Sequence, residues 1–255
     1  MMAQRYAIPV AGLFLAVLLL GCAHDRAITE KRAQAKENLG VSLVREGQLE
    51  AGLKELLEAE KLNPTNAELE NAIGLAYRDL GKTDEAIEHF SKALRLRPDY
   101  PEAENNLGTV YLIRKEWDKA IPVFQKAADN ILYRTPYMAY SNLGYAYFEK
   151  GEYERAVESY EKALKSFPRY SSAYDNMGLA YERLQQWGKA VEAYNNAIEA
   201  SPNYPPPRLH LGKLYIRLNL KKQAADELLD VTKLDPEGLY GKEAKKLLEQ
   251  MRLKP

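Results

Sequence analysis

Three histidines and one cysteine are the chain's whole stock of imidazole and thiol. His24 stands two residues after Cys22, while His89 and His210 are remote from both and from each other, so no metal-ligand spacing is formed. There is no G-x-S-x-G nucleophile turn and no G-x-x-x-x-G-K-[ST] phosphate cradle. Carboxylates are numerous but scattered along amphipathic stretches, where a solvated face explains them. These residues imply no enzyme, no metal site and no small-molecule substrate. A softer chemistry is spaced regularly: Asn38, Asn106, Asn142 and Asn176 recur at one position of a period, with His210 taking the same place later. A carboxamide both donates and accepts, so such a row can hold a peptide backbone irrespective of its side chains. Each bond would contribute only ~0.5–1.5 kcal/mol net, enough to fix register rather than affinity.

The elements that position these residues are helices. The 255 residues balance 36 basic against 36 acidic side chains, which argues against a nucleic-acid binder working by bulk charge. One cysteine excludes an internal disulfide framework. Cys22 has a more specific setting. Arg5 precedes the apolar run AGLFLAVLLL, too short to span a bilayer comfortably and laid out like a secretory signal. The run ends in LLGC, Leu19 to Cys22, which resembles a bacterial lipobox. That resemblance implies removal of 1–21, several acyl chains on Cys22 as the only covalent attachment, and a tether over 22–32. Ala23 is not the Asp that retains Gram-negative lipoproteins in the inner membrane, so the expected location is the outer membrane, facing the periplasm.

The rest is periodic. Gly40, Gly74, Gly108, Gly144, Gly178 and Gly212 are spaced by 34 residues, except for 36 between Gly108 and Gly144. An apolar residue precedes each: Leu39, Ile73, Leu107, Leu143, Met177, Leu211. Three residues after come Leu43, Tyr77, Tyr111, Tyr147, Tyr181 and Tyr215. Twelve after come Gly52, Ala86, Ala120, Ala156, Ala190 and Ala224; four further stand Leu56, Phe90, Phe124, Tyr160, Tyr194 and Leu228. Pro64, Pro98, Pro168, Pro202 and Pro236 close most units. The spacings describe two helices per unit, small residues letting them approach and aromatics filling the space between. Trp117, Tyr153 and Trp187 share one packing position at the start of second helices. The pattern resembles the tetratricopeptide repeat. It implies an all-α, right-handed superhelical solenoid of six repeats (33–66, 67–100, 101–136, 137–170, 171–204, 205–236). A capping helix follows over 237–255, with Leu239, Leu247, Leu248 and Met251 on one side.

In that family the first helix of each pair lines a groove, at positions two before and one, four and five after the Gly. Besides the asparagines, these are Val41, Val44, Leu75, Thr109, Leu112, Ile113, Tyr145, Phe148 and Leu179, with charge replacing them later at Glu182, Arg183, Lys213 and Arg217. Such an apolar strip marks a protein partner, and an amphipathic helix would suit it. The Asn row also has a plainer reading, as a residue common at that repeat position.

The extra length falls in DNILYRTPYMAYSNLG, Asp129 to Gly144. Its pattern predicts that Asp129–Leu132 extend a second helix, with Tyr133 and Arg134 at the joint. Thr135 becomes an N-cap and Pro136 the first helical residue. With the lipobox, Tyr133-Arg134-Thr135-Pro136 followed by Ala139 to Gly144 resembles the secretin pilotins, outer-membrane lipoproteins of type IV pilus biogenesis. The resemblance implies a non-catalytic lipoprotein that binds secretin subunits in its groove and promotes their localisation or multimerisation. A general envelope scaffold organising cell-wall enzymes, or a part of another outer-membrane assembly machine, is the alternative.

Overall fold

The computed structural model describes residues 10–253, with side chains over 27–251. The signal segment of 1–21 and the Cys22 and His24 side chains therefore lie outside the described side chains. Thirteen helices and no strand are found among the described residues: α1 (Val10–Arg45), α2 (Leu49–Leu62), α3 (Ala67–Asp79), α4 (Thr83–Leu96), α5 (Pro101–Ile113), α6 (Trp117–Asp129), α7 (Pro136–Glu149), α8 (Tyr153–Ser166), α9 (Ser171–Arg183), α10 (Trp187–Ala200), α11 (Pro205–Arg217), α12 (Lys221–Leu234) and α13 (Leu239–Leu253). None is long and apolar enough to cross a membrane. Two compact units divide between Ala103 and Glu104.

In the first unit α1 packs on α2, α3 on α4, and α2 on α3. Leu53, Leu56, Ala59, Leu69, Ile73 and Ala76 form its core. Ile73 is fully buried, whereas Leu39, at the matching position of α1, is 50% exposed. The reason is positional. Leu53, Leu56 and Ala59 of the preceding second helix cluster with Ile73, and within the described residues no second helix precedes α1. Backbone 23–32, expected as tether, belongs to α1. At 1.5 Å per residue these ten residues reach only ~15 Å, well under an extended chain.

In the second unit α7–α8, α9–α10 and α11–α12 are helix pairs, and α6, α8, α10 and α12 each pack on the following helix. A Cβ built on Gly144 would lie 2.6 Å from Tyr160 Cε1, and one on Gly178 would lie 2.5 Å from Tyr194 Cε1. The rings of α8 and α10 thus sit on bare backbone of their first helices, the close approach predicted by the sequence, and Leu228 of α12 takes the same place over Gly212. Each first helix ends alike. Gly47, Gly81 and Gly151 take positive φ, and so do Lys115, Gln185 and Asn219, each seven residues beyond the repeat glycine. The next N–H reaches back to the carbonyl five residues earlier, as from Gln186 to Tyr181 at 2.9 Å.

Two expectations fail. α6 stops at Asp129, so residues 130–132 do not lengthen it. The Asn130 carboxamide oxygen accepts the Leu132 N–H at 2.8 Å, turning the chain, and Ile131 and Leu132 stand 96% and 69% exposed. Tyr133 is buried against Ala127, Ala128 and Ala139. Thr135 holds the cap position and Pro136 the first helical position, but no side-chain cap bond forms. In α13, Leu247, Leu248 and Met251 pack on Leu209, Leu228 and Val231, while Leu239 is 83% exposed. Asp235 Oδ2 accepts the N–H groups of Tyr240 and Gly241, bending the chain before Leu239 can turn inward.

Candidate protein-binding groove

In the first unit the predicted positions come together. Val41 and Val44 of α1 and Ala72 and Leu75 of α3 line a cleft of about 540 Å³, edged by Glu37, Glu68, Asn71, Arg45, Arg78 and Asp79. All four apolar residues are half-buried, the state of a floor that packs on a core below and faces solvent above. Asn38 is not part of it. It is exposed, and its oxygen accepts a hydrogen bond from Gln34 at 3.1 Å along the same helix.

In the second unit Leu112, Phe148 and Leu179 are half-buried against the main core cluster, and Ile113 and Tyr145 are 58% and 39% exposed. The Tyr145 hydroxyl is pushed up by burial and by its neighbour Glu149. Phe148 is held edge-on by Tyr153 at 5.5 Å, and the Arg183 guanidinium lies 5.6 Å from its ring. The charged residues beyond this strip satisfy one another. Glu182 accepts from the Tyr194 hydroxyl at 2.6 Å and pairs with Arg217 at 2.6 Å, and Lys213 pairs with Glu243 at 2.8 Å.

The asparagine row is used partly within the protein. Asn142 Nδ2 donates to Asn105 Oδ1 at 3.0 Å, joining α7 to α5. His210 repeats the arrangement two registers on, its Nδ1 2.8 Å from Asp175 Oδ1. Thr109 turns its hydroxyl to the Asn106 carbonyl at 2.6 Å. Asn106 and Asn176 are half-buried. A lateral polar ladder between successive first helices explains Asn142 without any ligand.

Sequence reasoning missed a second pattern. The residue four before the repeat glycine meets the residue fifteen after it: Lys36 and Glu55 at 2.8 Å, Glu70 and His89 at 2.7 Å, Arg208 and Glu227 at 2.8 Å. The constant separation of 19 residues with complementary chemistry was the available signal. His89 turns toward α3 and stacks on Tyr77 at 5.3 Å. Glu60, Glu70 and His89 bring ligand atoms within 4.8 Å of one another. Lys92 lies among them, 2.6 Å from Glu70 Oε1 and in contact with Glu60, so a fixed ammonium already supplies the positive charge. Burial works to raise the Glu70 carboxyl, but hydrogen bonds from His89 and Lys92 outweigh it and hold it low.

A family model described as "TPR repeat" matches residues 74–113 and 144–185, and one described as "Tetratricopeptide repeat" matches 183–251. The chain belongs to the tetratricopeptide-repeat family. Its fold is that of a protein-binding scaffold. None of the curated proteins compared matches the sequence. Among solved structures, it is similar to PilW, a widely conserved type IV pilus biogenesis factor, with TM-score 0.76 and 21% identity over 85% of this chain and 98% of that one. It is also similar to Pseudomonas aeruginosa PilF, with TM-score 0.72 and 20% identity over 86% and 98%. MamA gives TM-score 0.59 and 28% identity over 68% and 93%.

Proposed function

We propose that this chain is a lipid-anchored, non-catalytic scaffold of type IV pilus biogenesis. It binds secretin subunits through its first-helix faces and promotes their outer-membrane localisation or multimerisation. The observation that carries the reading is the fold likeness to PilW along almost the whole of that chain. The LLGC lipobox and the Tyr133–Pro136 insertion, both in the sequence, support it independently. Mechanistically, Val41, Val44 and Leu75 in one unit shield an apolar partner segment from water, and Leu112, Tyr145, Phe148 and Leu179 form a face of the same kind within the other unit. At ~25 cal/mol per Å², a few hundred Å² of covered apolar surface gives several kcal/mol before association costs. Lipids on Cys22 hold the complex at the bilayer, with the protein in the periplasm.

Affinity purification of the full-length protein from native envelopes tests this. Secretin should co-purify with the wild type and be lost at least tenfold with Tyr145→Asp or Leu112→Asp. Equal recovery with both variants rules out the groove, and absence of secretin from the wild-type eluate rules out the partner.

A further inference from the structure

The cleft between α1 and α3 is electrically unfinished at both ends. Glu37 Oε2 accepts amide hydrogens from Asn66 at 3.1 Å and Gln34 at 3.4 Å, but no basic side chain pairs with Glu37 among the described residues. Burial, and then the charge of Glu68, push the Glu37 carboxyl upward, the mark of an anion short of a counter-charge. Glu68 itself is spoken for by Arg97. At the opposite end Arg78 pairs with Asp79 at 2.7 Å, whereas Arg45 makes no ion pair among the described residues. Glu37 and Arg45 are eight positions apart on α1, ~12 Å along its axis. Between them lie the aliphatic side chains of Val41, Val44 and Leu75.

We propose that this cleft takes an amphipathic helix of a protein partner that carries its own charge polarity. Aliphatic side chains sit on Val41, Val44 and Leu75, a lysine or arginine pairs with Glu37, and an acidic residue about two turns further on pairs with Arg45. The occupant then runs parallel to α1, its N-terminal end toward Glu37. That direction also places the positive end of its dipole at the carboxylate and the negative end at the guanidinium. A purely apolar segment would leave both charges unmet, and a uniformly basic or acidic one would satisfy one end and oppose the other. The inference rests on the groove reading and specifies the chemistry of what enters it.

The test uses the full chain in nanodiscs of neutral lipid, with empty nanodiscs as blank, and three labelled helical peptides sharing one leucine face. One bears a lysine near its start, one a glutamate near its end, and one is uncharged. Fluorescence anisotropy should show each charged peptide binding wild type at least threefold tighter than the neutral one. The lysine gain should vanish with Glu37→Gln and persist with Arg45→Gln; the glutamate gain should do the reverse. Leu75→Gln should weaken all three. Gains that survive their own variant, or no binding by any peptide, overturn the proposal. If Leu75→Gln weakens every peptide while the charge variants change nothing, the groove stands and its proposed polarity falls. Matching thermal melts confirm that each variant is folded.

Discussion

Two tyrosines at one repeat position differ in a way that decides what their hydroxyls do. Tyr194 donates to Glu182 at 2.6 Å, whereas the Tyr160 hydroxyl is buried with no hydrogen-bond partner among the described residues. Burial pushes both phenols far above their ordinary range. The position that supplies Glu182 in one repeat supplies Phe148 in the other, so Tyr160 has nothing to donate to. Tyr160→Phe should therefore raise stability by about 1 kcal/mol and Tyr194→Phe lower it by about the same, read from urea midpoints. Glu70 gives a pH-dependent case. Its folded pKa lies below the ordinary 4.5, so its contribution is present above that value and is lost as pH falls through the lowered one. Glu70→Gln should cost on the order of 2 kcal/mol at neutral pH, and its melting temperature should fall less than the wild type's between about pH 5 and about pH 3. Parallel curves would remove Glu70 from the acid sensitivity.

At the scale of the element, the turn after each first helix repeats one backbone shape with different residues. Gly81 takes φ +75° at no steric cost, while Gln185 takes +58° with a side chain attached. A left-handed conformation costs a non-glycine residue roughly 1–2 kcal/mol, partly offset by glycine's greater freedom in the unfolded chain. Gln185→Gly should then stabilise by ~0.5–1 kcal/mol, while Gly81→Gln should destabilise by a similar amount, both read by thermal melting. The insertion before α7 obeys a different rule. Asn130 competes with the helix for backbone hydrogen bonds and wins, stopping α6 and leaving Ile131 and Leu132 in water, while Tyr133 ties the loop down. Length and the following proline were legible in the sequence. The stop was not, because the same residues are compatible with another helical turn until the burial of Tyr133 is counted.

For the whole molecule the testable property is attachment. Cys22→Ser should move the protein from the membrane fraction to the soluble envelope fraction and abolish metabolic labelling by palmitate. Labelling that persists in the variant would dismiss the lipobox. A mature chain held by several acyl chains is effectively confined to its bilayer, which raises the local concentration of any partner delivered there.

Sequence alone determined the helix pairs, their period and their packing partners. A helix with glycine at one register and an aromatic sixteen residues later has few ways to bury both, and Gly144 under Tyr160 is the one the chain takes. The resemblance to the tetratricopeptide repeat added the expectation that Val41, Val44 and Leu75 stand at groove-facing positions of their first helices. Only the tertiary structure decided which polar groups were already satisfied. Asn142 meets Asn105 across two helices, Glu70 meets His89 and Lys92, while Glu37 and Arg45 meet no opposite charge among the described residues. Periodicity fixes the face a side chain occupies, but a hydrogen bond or ion pair depends on a few ångströms set jointly by separate helices. Whether a charge is available to a partner therefore becomes visible only after the helices are packed.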